Sequence, residues 1–185
     1  MIAAILMDPE ARTASSRDSV TFGKVREPAL RFTHWARAFN ASEITPQNSF
    51  DPWNGAVGDP LGQEPYESPS VFNFYRPGYV APGSDSGAAG MTVPELQITN
   101  SSTIVGYANF MSHFIFGENA SGNDLHRSSF LPDYSDERPL ASNPDALIDH
   151  LDLLLTHGNL SAETRDTVRQ TLEAIPMTNE NVLNC

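Results

Sequence analysis

SSTIVGYANFMSHFIF, residues 101–116, is apolar on most sides when wound at 3.6 residues per turn. Asn100 and Ser101 offer the side-chain oxygens that cap a helix N-terminus. Ile104, Tyr107, Ala108, Met111, Phe114 and Ile115 share one face, while Val105, Phe110 and Phe116 lie off it. A helix that is apolar nearly all round belongs in an interior. The stretch therefore predicts the central helix of an all-α fold, and the neighbouring segments are read as what packs around it.

On its N-terminal side, REPALRFTHWARAFN (residues 26–40) places Pro28 where a first helical turn tolerates it and repeats Phe32, Trp35, Ala36 and Phe39 at helical spacing. Downstream, residues 143–175 read as a helix hairpin. Asn143, Pro144 and Asp145 open its first arm, with Leu147, Leu151, Leu154 and Leu155 inward and Gly158 at the left-handed C-cap. Ser161 opens the second arm, with Val168, Leu172 and Ile175 inward and Pro176 closing it. Ile2–Met7 reads as a helix tail stopped by Asp8-Pro9, since the residue before proline is pushed out of the α region. At the other end, Thr178 and Asn179 read as N-caps before Val182 and Leu183, so both ends look cut from something longer.

Residues 41–92 carry seven of the fourteen prolines and seven of the twelve glycines, with no sustained period. They also hold seven of the seventeen aromatics: Phe50, Trp53, Tyr66, Phe72, Phe74, Tyr75 and Tyr79. Disordered segments are poor in aromatics. The expectation is one long ordered loop lying on a helical, bundle-like body, its rings sunk into the helix grooves. Ser70–Tyr75 should form a short helical turn capped by Ser68, and Pro82–Gly90 should stay mobile. The whole chain, 1–185, reads as a single domain.

A net charge of −12, from 23 acidic against 11 basic residues with Lys24 the sole lysine, repels a nucleic-acid backbone. No apolar run approaches the eighteen or so residues that a membrane helix requires. Cys185 is the one cysteine, which excludes an internal disulfide and a cysteine-based zinc site. Asp149, His150 and Asp152 suggest metal ligands, but the two aspartates fall opposite the leucine stripe, on a solvated face. The loop 117–124, GENASGND, is rich in oxygens without calcium-loop spacing. No metal and no cofactor is expected. Gly83–Gly87 reads GSDSG, with Asp85 where a nucleophile elbow would need serine, and no phosphate loop or dinucleotide fingerprint is present. Four Asn-x-Ser triplets, at Asn40, Asn100, Asn119 and Asn159, fall at predicted helix ends, where they serve as caps.

The residues that can meet a ligand or partner are Arg26, Glu27, His34, Asn73, Tyr75 and Arg76. Lys24, Arg26, Arg31 and Arg37 concentrate positive charge in an acidic chain, either to receive an anionic group or to neutralise acidic loops of the chain itself. His34 can act as an acid–base group or sit as a helix histidine at the core edge. Arg76 can clamp a carboxylate or phosphate, stack on a ring, or bond loop carbonyls.

DPEAR (8–12), GKVREP (23–28) with the following HWARAF, SPSVFNFYRPGY (68–79), PELQITN (94–100) and VGYANF (105–110) occur in an order that resembles the C-terminal part of a bacterial family called domain of unknown function 1800. The likeness extends through DALIDHLDLLLTHGNLS. It implies a longer, mainly helical, exported (periplasmic or secreted) protein. The implied partners are the missing N-terminal half and an exported neighbour of the alkaline phosphatase and sulfatase superfamily. It brings no catalytic residue. Two functions are compatible: a non-catalytic accessory or interaction domain, or a hydrolase-type or glycan-handling enzyme with its pocket between the aromatic loop and the first helix, using Glu27, His34, Asn73 and Arg76.

Overall fold

A computed structural model describes residues 2–13, 23–43, 61–115 and 130–175. The described chain is mainly helical: α1 (Ile2–Leu6), α2 (Pro9–Arg12), α3 (Pro28–Ala38), α4 (Asp85–Ala88), α5 (Ser101–Ile115), α6 (Pro144–Leu151) and α7 (Ala162–Ala174). One two-residue antiparallel ladder joins β1 (Ser42–Glu43) to β2 (Phe130–Leu131), with Ser42 opposite Leu131. No helix among the described residues is long and apolar enough to cross a membrane. The chain divides into two compact units, one from Met1–Glu27 and Pro69–Thr99, the other from Pro28–Ser68 and Asn100–Cys185.

The second unit holds an aromatic core. Pro28 starts α3 at a position whose missing N–H costs nothing. The next orphan donor, Ala29 N–H, is taken at 3.0 Å by Oε1 of the buried Gln63. The predicted stripe of α3 is buried at Phe32, Trp35 and Phe39. The Phe32 ring meets Phe110 edge-on at 5.0 Å and Phe114 at 4.9 Å, geometries that the ring quadrupole favours. Leu61, fully buried, and Met111 complete the cluster.

Helix α5 starts as its caps predict: Asn100 Oδ1 accepts the Ser102 and Thr103 amides at 2.9 and 3.1 Å. Its inward face keeps Tyr107, Met111 and Phe114 of the expected one and differs in the rest. Phe110, expected off the stripe, is buried with Met111 and Phe114, whereas Ile104, Val105, Ala108 and Ile115 are exposed. A helix that is apolar on most sides carries no moment strong enough to choose its own face. Here the rings of α3 choose it.

The hairpin's N-caps are as predicted, and of its inward leucines Leu151 and Leu154 pack against the aromatic core. Asn143 Oδ1 caps α6 through the Ala146 amide, and Ser161 Oγ caps α7 through the Thr164 amide. The core residue of α6 is Ile148, 2% exposed, while Leu155 is exposed and Leu147, Leu151 and Leu154 are half-buried. A wide helical turn, Asp152–Thr156, continues α6 and closes at His157 (φ 59°) followed by Gly158 (φ 77°), so two left-handed residues form the cap where one was expected. Asp152 Oδ1 gathers the Thr156 hydroxyl and, at 3.0 Å, the Leu160 amide. Helix α7 buries none of its residues: Val168 and Ile175 are exposed and Leu172 is half-buried. Ion pairs link it to α6, Arg165 on Asp149 and Arg169 on Asp145 at 3.9 Å, while Arg169 also pairs at 2.6 Å with Asp166 within α7 itself. Phe116, residues 117–124, Pro176 and the cap at 178–179 lie outside the described residues.

The first unit is built on turns. The segment 82–90, expected to be mobile, folds around α4. Ser84 Oγ caps that helix through the Gly87 amide at 2.9 Å and donates to the Ala81 carbonyl at 2.8 Å. A Cβ at Gly87 would lie 2.0 Å from the Ala81 carbonyl oxygen, so the close approach requires glycine. The helical turn expected over 70–75 is a tight turn instead. Ser70, not Ser68, does the capping: its Oγ accepts the Phe72 amide at 3.2 Å and its carbonyl the Asn73 amide at 3.1 Å, with Asn73 at φ 69°. Of the rings expected in helix grooves, Phe72 is 66% exposed and Phe74, Tyr75 and Tyr79 are half-buried, while Tyr66, which belongs to the second unit, is 102% exposed. Phe50 and Trp53 lie outside the described residues.

Candidate functional site

The richest set of polar contacts in the first unit ties three separate sequence segments together. From the segment 23–27, Lys24 Nζ reaches Glu95 Oε1 at 3.1 Å, and Glu27 accepts the hydroxyl of Tyr75. The Pro94–Ile98 turn supplies Glu95, whose carboxylate is 4% exposed, and Gln97, whose Oε1 accepts the Arg76 amide at 2.7 Å. The Val93 amide donates to the Tyr79 carbonyl at 2.9 Å. Residues 75–79 are thus fastened at both ends.

Beside these bonds lies an open groove of about 620 Å³, lined by Phe72, Asn73, Phe74, Tyr75, Arg76 and Gln97 with Pro69, Ser70 and Pro77. Phe72, one of the lining residues, is 66% exposed, and its chain neighbour Val71 is 96% exposed. Arg76 is exposed, and its guanidinium makes no ion pair among the described residues. Burial holds the Tyr75 phenol far above its ordinary range, assisted by the Glu27 hydrogen bond and the charges of Glu27 and Glu95. At neutral pH Tyr75 is a hydroxyl donor and an anchor, not a nucleophile.

The sequence candidates therefore separate by role. Asn73, Tyr75 and Arg76 line one groove, and Glu27 holds it from behind through Tyr75. Arg26 is half-buried immediately before Glu27. His34 belongs to the second unit, where its Nε2–H donates to the Leu154 carbonyl at 2.7 Å and its ring meets His157 edge-on at 5.7 Å. Of the remaining cations in the basic stretch, Lys24 neutralises Glu95, and Arg31 stacks over the Tyr107 ring at 4.3 Å. Glu95 and Gln97 were missed as site residues. The signal that could have found them was a carboxylate and an amide two residues apart in PELQITN, directly after a proline that starts a turn.

What this arrangement can do chemically is bind. A hydrogen-bonded turn presents apolar surface beside a guanidinium that makes no ion pair among the described residues, with the side-chain amides of Asn73 and Gln97 alongside. Glu27 and His34, the acid–base candidates, are each committed to a structural hydrogen bond.

No curated protein and no solved structure matches the chain. A family model described as "Protein of unknown function (DUF1800)" matches residues 1–183. Its match covers nearly the whole sequence, including all the words GKVREP, SPSVFNFYRPGY and PELQITN from which the groove is built, and the chain belongs to that family.

Proposed function

We propose that this chain is a non-catalytic interaction domain of an exported bacterial protein, and that the groove at residues 69–77 and Gln97 binds an extended segment of a partner protein bearing an apolar residue next to a carboxylate. The observation that carries this reading is the pairing of opposites in one groove: the exposed ring of Phe72 and the exposed Arg76 both line it, and the segment is held by the Tyr75–Glu27 and Arg76–Gln97 bonds. Contiguous apolar side chains left in water mark contact surfaces. An arginine whose backbone is fastened beside them adds bidentate recognition of a carboxylate. The family resemblance suggests, as the partner, an exported protein of the alkaline phosphatase and sulfatase superfamily or a further part of the same protein. The enzyme reading is weaker because Glu27 and His34 already serve the fold.

An array of ten-residue peptides tests this. Peptides with an apolar residue followed by Asp or Glu should be retained over the same peptides carrying Lys. Phe72→Ala and Arg76→Ala should each lower affinity about tenfold without changing thermal unfolding. No enrichment for the acidic peptides, or enrichment that survives the double variant, refutes the proposal.

A further inference from the structure

Helix α5 gives the core only part of its apolar surface. Ser101, Ile104, Val105, Ala108, Ser112 and Ile115 fall within one sector of about 100° when the helix turns roughly 100° per residue. All six are exposed, Ile104 to 57% and Val105 to 59%. The helix lies wholly within the second unit, and this stripe shares no residue with the groove at 69–77. Two properties of the stripe say what fits it. The first is charge. The chain carries a net charge of −12, yet Ser101–Ile115 contains no Asp, Glu, Lys or Arg. A charged partner finds no ion-pairing handle there, whereas two copies of this acidic chain, which repel each other elsewhere, can meet there without opposing like charges.

The second property is the order of sizes along the stripe. Counted outward from Ala108, each large side chain has a small one at the same distance in the other direction: Ile104 and Ser112 on the inner positions, Ile115 and Ser101 on the outer ones. A second copy turned end over end about Ala108 therefore sets Ile104 against the other copy's Ser112, Ile115 against its Ser101, and Ala108 against Ala108. Val105 then falls between the other copy's Ala108 and Ser112. Self-complementarity under a two-fold rotation is what an isologous dimer requires, and a small residue at the crossing point lets two helices approach closely. We infer that the exposed face of α5 is a homodimer interface, in which two copies of the helix pack antiparallel with Ala108 on the two-fold axis. Fifteen residues make a helix about 22 Å long. One face of such a helix falls short of the roughly 800 Å² per partner of a standard stable interface, so the dimer is weak and reversible. This surface is independent of the proposal for the first unit and stands if that one fails.

The test uses the full chain with Cys185→Ser, so that introduced thiols act alone. Sedimentation equilibrium should show a monomer and a dimer exchanging between about 10 μM and 1 mM. Ala108→Glu places two like charges on the axis and should raise the dissociation constant at least about tenfold with an unchanged melting curve. Ile104→Ser should weaken the dimer about tenfold, and adding Ser112→Ile, which exchanges the members of the pair, should return most of that loss. Mild oxidation fixes the register. Ala108→Cys should give a disulfide-linked dimer, whereas Ser101→Cys, on the same face, should not, because its two copies lie about 21 Å apart in the antiparallel pair, beyond the roughly 4.4–6.8 Å that a disulfide spans between Cα atoms. A chain that stays monomeric throughout, a dimer indifferent to Ala108→Glu, a paired exchange no better than Ile104→Ser alone, or equal cross-linking at 101 and 108 would each overturn the inference.

Discussion

Replacing Tyr75 by phenylalanine removes one hydroxyl and keeps the ring, so it isolates the bond that fastens the exposed turn to Glu27. A hydrogen bond to a charged acceptor contributes about 1.5–3 kcal/mol when shielded. Both partners here are half-buried, and water recovers part of that, which leaves about 1–2 kcal/mol. The local opening equilibrium should then rise about 5–30-fold. Native-state amide exchange reads this directly at the Arg76 and Val93 amides, which bond Gln97 and the Tyr79 carbonyl in the same unit. The Thr164 amide, capped by Ser161 in the other unit, is the control. Glu27→Gln keeps an acceptor but loses the charge, so its effect should be roughly half as large, and the double variant should show less than the sum. The alkaline limb gives a second reading of the same bond. The phenol's pKa is raised in the folded state, so the unfolded chain releases this proton first as pH rises. The stabilisation is complete below the unfolded value of about 10 and is lost as pH climbs through the folded value. The stability gap between the parent and Tyr75→Phe should therefore be flat below about pH 9 and shrink above about pH 10. Unchanged exchange at Arg76 and Val93, or a gap that widens with pH, would refute the assignment of Tyr75 as the anchor.

Gly87→Ala should cost about 3 kcal/mol, because the new Cβ meets the Ala81 carbonyl oxygen, a backbone atom that cannot step aside; lost protection of the Met91 amide, bonded to Ser86, would report it. Phe32→Ala should cost about 3–5 kcal/mol in urea unfolding, since its ring touches Trp35, Phe110 and Phe114 and leaves a cavity at the centre of the aromatic core; a cost under about 1 kcal/mol would place the core elsewhere.

The helices were legible where local chemistry decides them. Pro28, Asn100, Asn143 and Ser161 each start a helix by satisfying or lacking an orphan N–H, and that mechanism is written in the residue itself. The faces were less legible. Phe110 and Ile104 both lie on a helix apolar nearly all round, and which one is buried depends on the rings of the α3 segment, far upstream in sequence. Leucine spacing likewise overstated the apolar contribution to the hairpin, because a stripe with Ile148 at its centre needs only half-burial of its neighbours once the arginines of α7 reach Asp149 and Asp145. The direction of the loop rings was not legible at all. Tyr66 sits at φ 69°, a left-handed conformation that no local preference of tyrosine announces, and composition can show that rings are present without showing where they point.

For the candidate site, the residue types were readable and their roles were not, and the reason is general. Whether Glu27 acts as a base or as a fastening depends on what donates to it, and the donor, Tyr75, comes from a distant segment. His34 gives the same lesson from the other unit, where the carbonyl of Leu154 fixes its ring. Arg76 is the opposite case: its backbone is committed to Gln97 while its guanidinium remains available. Commitment of the main chain with freedom of the side chain is what a recognition residue requires, because the entropy of holding the turn is then met by the fold and not by the ligand. By that criterion Arg76 and Phe72 are the residues on which binding should depend, and Glu27 and Tyr75 are the residues that allow them to bind.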